Sequence, residues 1–508
     1  MELEPSMDNK ALSAVEKFDV IVVGGGNAAM CAALSAREDG ASVLVLERSP
    51  EAERGGNSSF TDGVIRFAYD SVDEIVAISE PLTSEELATS DFGLYPADRF
   101  FDDMAKVTEH RTDPDLCETV VRQSQSAVRW LKKNGVKFMP NYGRQSYRID
   151  GRIKFAGGAP MVINGGGPGL IDALYKAARR EGIVVRYGAW VQDLVWEDGA
   201  VRGVVAYVDG RPSAIAAGAV VLACGGFEAN AEWRARYLGK GWDLAKVRGS
   251  KYNTGDGLAM ALKIGAQPAG HWSGCHAVSW ELYATDFGDP AITPNFQRHS
   301  YPFGIIVNAK GKRFVDEGAD IRNYTYAKYG HIVLEQPGQF AWQVFDGQVL
   351  PLLRDEYRTR QVTKVTADSL EALAEKLEGV DPKQFLQTVR EFNAAVDTGT
   401  RFDPSVKDGR ATHGLEVPKS NWANRIDTPP FEAYAVTCGI TFTYGGLRID
   451  TEAQVRNTNH DPIPGLFAAG EIVGGIYYFN APGGSGLASG AVFGRIAGQG
   501  AARAAAAA

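Results

Sequence analysis

Residues 18–48 read FDVIVVGGGNAAMCAALSAREDGASVLVLER, and the fold follows from this stretch. An apolar run of strand length leads into Gly24, Gly25 and Gly26, and helix-forming residues then continue to about Glu38. A second apolar run ends at Glu47. Strand, glycine turn, helix and strand make a βαβ unit with its glycines where the main-chain N–H groups of a helix start can meet a pyrophosphate. Glu47 closes the second strand about 20 residues after the glycines, where a carboxylate can hold adenosine ribose hydroxyls. An acidic residue there disfavours a 2′-phosphate and favours FAD or NAD over NADP. Ala29 replaces the third glycine of the fingerprint and still permits close helix–strand packing.

The 508 residues exceed one simple core, so two or three domains are expected. A net charge of −9 and the lack of a basic block interleaved with aromatics argue against nucleic-acid binding. The 58 glycines suggest many tight turns near a ligand. Cys31, Cys117, Cys224, Cys275 and Cys438 form no CxxC pair and no metal-ligand spacing, so no metal is expected and a reducing, cytoplasmic setting is favoured. Residues 1–17 read as a flexible leader without signal-peptide character, and no run reaches transmembrane length.

After Glu47, the loop RSPEAERGGNSSFTDG offers Gly56, Asn57 and Ser58 as donors for a cofactor. LCETVVRQSQSAVRWLKKNG has a helical apolar face. Residues 141–158 are basic and glycine-rich, carrying Tyr142, Arg144, Tyr147, Arg148 and Arg152, and suit either a solvated loop or an anion-facing lid. GGGPGLIDALYKAARREG turns into a helix, and strands follow through Val191 to the small-residue turn at Ala223–Gly226. The stretch from His271 to Val436 holds most histidines, many aromatics and the turn GKRFVDE, and reads as an inserted domain. The remainder returns to strands, glycine turns and a long helix.

Five motifs then stand in order: GGGNAA ending in Glu47, GGNSS, ACGGFEAN (Ala223 to Asn230), TGDG (Thr254 to Gly257), and GLFAAGE with PGGSG. Together they resemble the flavoprotein family of fumarate reductases, succinate dehydrogenases and 3-ketosteroid dehydrogenases, across nearly the whole chain. Within it, GGNSS, GKRFVDEGADIRNYTYAKYG and FNAPGGSG are most similar to the tricarballylate dehydrogenase group. The resemblance implies FAD, a split cofactor domain and a mobile cap over the flavin. The cofactor contacts expected are Gly24, Gly26, Asn27, Ala28, Glu47, Arg48, Gly56, Asn57, Ser58, Val191, Cys224, Gly225, Gly226, Asn253, Gly255, Asp256, Gly470, Glu471, Gly484, Ser485, Gly486 and Leu487. In the family, the Glu471 position contacts the ribityl chain. A helix opening at Gly484 would aim its dipole at the flavin edge, worth ~1–2 kcal/mol at a partly buried site. No histidine lies between Arg54 and Phe67, where covalent members attach FAD, so noncovalent FAD is expected.

The resemblance places a catalytic arginine at Arg322, one residue further from the RF-x-(N/D)-E turn than in fumarate reductases, and a substrate histidine at His276. A second family histidine falls at Thr441 or Phe442, and a family arginine at Ala481. With both groups gone, succinate or fumarate is not expected as substrate. Arg298 and His299 offer a replacement cation, and Tyr324, Tyr326, Tyr477 and Tyr478 a tyrosine-lined pocket like that of steroid-oxidising relatives. The catalytic set expected is Arg322, His276, Arg298 and Tyr326.

The expectation is thus an α/β protein: a split Rossmann-like FAD-binding domain (18–270 and 437–508) with an inserted α+β capping domain (271–436). Its activity would be FAD-dependent oxidation of a CH–CH bond beside a carboxylate or carbonyl, with a tricarballylate-like polycarboxylate favoured. An ene-reductase, a 3-ketosteroid dehydrogenase, and a flavin electron-transfer or assembly subunit are the alternatives. No iron–sulfur or haem cysteine pattern is present, so the electrons would pass to a separate acceptor, a protein among the possibilities.

Overall fold

The computed structural model describes residues 16–507 apart from 156, 209, 293 and 294. Most of the leader expected at 1–17 and the side chain of Arg144 lie outside the described residues. Strand β1 (Lys17–Val23) leads into helix α1 (Asn27–Glu38) and strand β2 (Val43–Leu46). Val20 to Val23 and Val43 to Leu46 are buried, as a parallel sheet covered on both faces requires. Helices α2 (Pro114–Lys133) and α3 (Gly166–Arg180) precede strand β3 (Val184–Arg186), the hairpin strands β4 (Trp190–Glu197) and β5 (Ala200–Val208), and strand β6 (Arg211–Leu222). β1 runs parallel to both β2 and β6, with Val20 opposite Val43 and Val23 opposite Leu222. A parallel sheet is therefore centred on β1, and β5 joins β6 antiparallel.

A second sheet forms over this one. Its strands are β7 (Lys246–Val247), β8 (Pro268–Glu281), β9 (Ile305–Asn308), β10 (Ala341–Phe345), β11 (Lys364–Ala367) and β12 (Phe431–Leu447), with helices α4 (Asp256–Lys263) and α5 (Tyr326–Leu334) between them. β12 is the hub and pairs with β7, β8, β10 and β11. The expected domain limits of 271 and 436 fall inside β8 and β12 respectively. Composition changes there, but the hydrogen-bond ladder continues, because one 17-residue strand serves both the cap and the cofactor layer. α5 lies directly on β8: a Cβ at Gly330 would sit 2.5 Å from the main-chain N and O of Val278.

The chain then returns to the first sheet through β13 (Gln454–Arg456) and β14 (Pro462–Ala468), β14 pairing in parallel with β6. Helix α6 (Ser485–Ala506) closes the domain against α1. Gly490, Gly494 and Gly498 repeat every fourth residue and so share one face of α6. A Cβ at Gly494 would lie 2.5 Å from the Ala28 carbonyl oxygen, so the two helices meet backbone to backbone. Among the described residues no helix is long and apolar enough to cross a membrane.

Candidate active site

A continuous cavity of about 280 Å³ runs from the end of β1 to the underside of the cap. At its first end the chain turns at Gly24, whose φ of +109° and position 2.4 Å (as Cβ) from the Ala223 carbonyl both require glycine. α1 follows Gly26, which offers no side-chain cap, so the N–H groups of its first turn beyond Asn27 can meet an anion. Ser58 Oγ accepts from the Asn27 N–H at 3.0 Å, and Asn27 Nδ2 donates to the Leu487 carbonyl at 2.9 Å, tying the starts of α1 and α6 together. Glu47 is buried and accepts from the Ser49 N–H at 2.8 Å; burial pushes its carboxyl up, and main-chain donors oppose that shift. Arg48 Nη1 reaches Thr254 Oγ1 and Asp256 Oδ2, both at 2.7 Å, with its guanidinium 4.8 Å over the Trp190 ring.

In the middle, Asn57 Nδ2 and Asn253 Nδ2 donate to Glu228 Oε1 at 2.5 and 2.7 Å, and the Thr443 N–H donates to Glu471 Oε1 at 2.9 Å. Cys224 is half-buried on the cavity wall, and desolvation pushes its thiol up to about 12, which keeps it a neutral thiol rather than a thiolate. The cavity is lined by every cofactor residue named from the sequence except Gly226. Gly226 lies behind the wall, where a Cβ would fall 2.3 Å from Glu471 Oε1; its missing side chain makes room for that carboxyl.

At the far end, α6 starts at Gly484 with φ +85° and no side-chain cap. Arg66, fully buried and not singled out in the sequence, anchors this turn: Nε donates to the Gly483 carbonyl at 2.9 Å, and Nη1 meets Tyr95 Oη at 2.6 Å. The sequence signal for it was slight, one arginine in the apolar GVIRFAYD. A Cβ at Gly483 would stand 3.6 Å from Tyr326 Oη, so this phenol reaches the helix start.

Around Tyr326 the catalytic candidates meet. The His276 ring lies 4.9 Å from the rings of both Tyr326 and Phe442, and the His299 ring 5.0 Å from Tyr326. A register shift in β8 between His276 and Ala277 sets His276 opposite Phe442. Burial pulls His276 down to about 3, with Arg248 adding to the effect, so it is a neutral imidazole at neutral pH. Arg322 stands 3.4 Å from His299 Nδ1, its guanidinium 5.5 Å from the Tyr326 ring. Burial first, then the charge of Arg354, brings Arg322 down to about 10. Burial pushes the Tyr326 phenol up, which makes it a hydrogen-bond donor rather than a base.

The structure brings Arg322, His276 and Tyr326 into the cavity but leaves Arg298 out. Arg298 is fully buried in the cap, with Nη2 on Glu281 Oε2 at 2.8 Å and Nη1 on the Asn295 and Gln297 carbonyls. Its segment pairs antiparallel along β8, the Arg298 N–H donating to the Ser279 carbonyl, so side chains alternate. Gln297 and His299 therefore line the cavity and Arg298 points away. Tyr324 also turns aside, to Asp103 at 2.7 Å. Sequence reasoning passed over Arg248, Gln297 and Asp62, all cavity-lining. Gln297 donates to Asp62 at 2.6 Å. Only Arg248 carried a signal, its place five residues before Asn253 in VRGSKYNTGDG.

A glycine cradle with an acidic ribose partner, an uncapped helix start at the opposite end and titratable side chains beyond it define a flavoprotein oxidoreductase on a split nucleotide-binding sheet. The donors and cradles fit a flavin dinucleotide along the cavity. The chain belongs to the FAD binding domain family, which matches residues 19–487. It is 31% identical over 505 residues to a probable fumarate reductase of Shewanella frigidimarina, covering 97% of this chain and 76% of that protein. It is 27% identical to the 3-oxosteroid 1-dehydrogenase of Mycolicibacterium smegmatis, covering 90% and 92%. The open conformation of a flavocytochrome c3 fumarate reductase superposes with a TM-score of 0.72 at 28% identity, covering 99% of this chain and 82% of that one. The protein is an FAD-dependent oxidoreductase acting on CH–CH groups.

Proposed function

We propose that the enzyme oxidises the CH–CH bond beside a carboxylate in a small polycarboxylate of the tricarballylate type. The observation that carries this reading is Arg322, half-buried on the cavity wall with its proton affinity lowered to about 10 by desolvation and the charge of Arg354. Bound FAD supplies a two-electron hydride acceptor. The chain's own part is the proton: Arg322 takes it from the carbon next to the carboxylate as the double bond forms. Three guanidiniums, Arg322, Arg248 and Arg66, and one carboxylate, Asp62, act on Tyr326, which supports this end as a place for an anion. His276, neutral, donates a hydrogen bond to the acid group without adding charge. The resemblance puts a histidine of dicarboxylate-binding family members at Thr441 or Phe442 and an arginine at Ala481, and the loss of both supports a differently shaped acid than fumarate. The polar lining and the poorly basic Tyr326 weigh against a ketosteroid. The electrons then pass to a separate acceptor.

A second reading, reduction of an unsaturated acid, is supported by the state of Arg322, which is protonated at neutral pH and therefore poised as a donor. The test is an anaerobic screen of the purified holoenzyme. Tricarballylate or another polycarboxylate is expected to bleach the flavin absorbance, and androstenedione to leave it intact. Reoxidation of photoreduced enzyme by an unsaturated polyacid, with no bleaching by any saturated one, would establish the second reading. Bleaching by the steroid alone would sink both.

A further inference from the structure

Glu228 and Glu471 form a feature that neither the glycine cradle nor the Arg322 chemistry uses. Glu228 is fully buried, while Glu471 stands in front of it on the cavity wall. The two carboxyl groups are within hydrogen-bonding contact. Glu228 Oε1 accepts from two amides, and Glu471 Oε1 from the Thr443 N–H. Asn253 Nδ2 spans both acids, 2.7 Å from Glu228 and 3.5 Å from Glu471 Oε2. Glu228 Oε2 is sealed from solvent and meets no N–H or hydroxyl donor among the described residues. Two bare carboxylates in contact inside a protein repel each other, and a proton between them turns that repulsion into a hydrogen bond.

We infer that Glu228 and Glu471 share one proton, held on Glu471, so that the wall beside the cofactor presents a neutral acid with the anion buried behind it. Glu228 suits the charged role because it takes both amide donors. It also has the Arg234 guanidinium close by, Nη1 donating to the Glu228 carbonyl at 2.6 Å. Burial pushes both carboxyls up, and the like charge of Glu228 pushes Glu471 further, well above the carboxylate range. The other titratable neighbours, the thiols of Cys275 and Cys438, are raised by burial and stay neutral. Glu228 is thus a positioning residue: it withholds negative charge from the wall facing the flavin, where such charge would oppose the arrival of electrons.

The test is the midpoint potential of the bound flavin, followed by spectroelectrochemistry at neutral pH. Glu471→Gln replaces a neutral acid by a neutral amide and is expected to keep the wild-type potential. Glu228→Gln removes the buried anion, lets Glu471 ionise beside the cofactor, and is expected to shift the potential to more negative values. Equal potentials in all three proteins, or a fall in Glu471→Gln itself, would overturn the inference. Should either variant lose FAD, the wild-type holoenzyme still decides. Its infrared spectrum is expected to show a protonated carboxyl C=O band, sensitive to D₂O, that changes on flavin reduction. The lack of any such band at neutral pH would refute the shared proton.

Discussion

The two ends of the cavity are built by opposite means. At the nucleotide end the work is done by backbone within one short stretch: Gly24 to Gly26, the uncapped start of α1, and Glu47 on the next strand. At the substrate end it is done by side chains drawn from β8, the Gln297–His299 segment, the Arg322 turn, β12 and the start of α6. The cofactor is common to the family, so its site rests on geometry that few residues can satisfy. The substrate differs between relatives, and its site rests on side chains that can be exchanged without disturbing the frame. The lesson is a separation of retention from turnover.

Single substitutions should expose that separation. The largest effect is expected from Arg322→Ala: turnover falls by roughly 10²–10⁴-fold, the range for loss of a positioned proton-transfer group, with FAD absorbance retained. Loss of the flavin together with activity would erase the distinction between the ends. The same residue predicts a pH profile. Only the deprotonated form of a group near 10 accepts a proton, so the oxidation rate should climb about tenfold per pH unit from neutrality and level near pH 10. In the reductive direction the rate should hold and then fall above that pH, and a profile flat across it would exclude Arg322 as the proton carrier.

Arg298→Ala comes next, and it acts on folding rather than on the site. Removing one partner of a fully buried ion pair leaves Glu281 uncompensated and should cost about 3–5 kcal/mol in denaturant unfolding. KM measured on the surviving folded fraction should be unchanged; a raised KM would return Arg298 to the substrate site. Gly24→Ala should weaken FAD retention, read by flavin release on dilution, because a Cβ there meets the Ala223 carbonyl at 2.4 Å. The smallest shift is expected from Arg248→Gln, where loss of one charged contact to a polycarboxylate should raise KM about tenfold, ~1.4 kcal/mol, with kcat little altered. An equal fall in kcat would mean that Arg248 acts in the chemistry itself.

The nucleotide end was legible in the sequence because its requirements are local. A glycine run between an apolar strand and a helix has few other uses, and the distance to Glu47 is one helix and one turn. At the other end, the resemblance to relatives pointed to Arg322, His276 and Tyr326, and the fold gathers these three on one cavity wall. The choice between Arg298 and its neighbours was not legible. It depends on which way an extended segment faces once paired with β8, and a shift of one residue exchanges the inward and outward sets. Arg66 and Glu228 were hidden for another reason: each acts on a residue far away in sequence, Gly483 in one case and Glu471 in the other. Glu228 stood inside the motif ACGGFEAN, yet nothing local marks it as the partner of an acid more than 200 residues later.

The hydrogen bond from Asn27 to the Leu487 carbonyl joins residues 460 positions apart. At about 5–20 residues per second of synthesis, the glycine cradle leaves the ribosome roughly 25–90 s before the helix start that completes its far wall. During that interval the small-residue face of α1 has no α6 to cover it. The cavity is therefore complete only once residues 484–487 have been made and α6 has packed on α1.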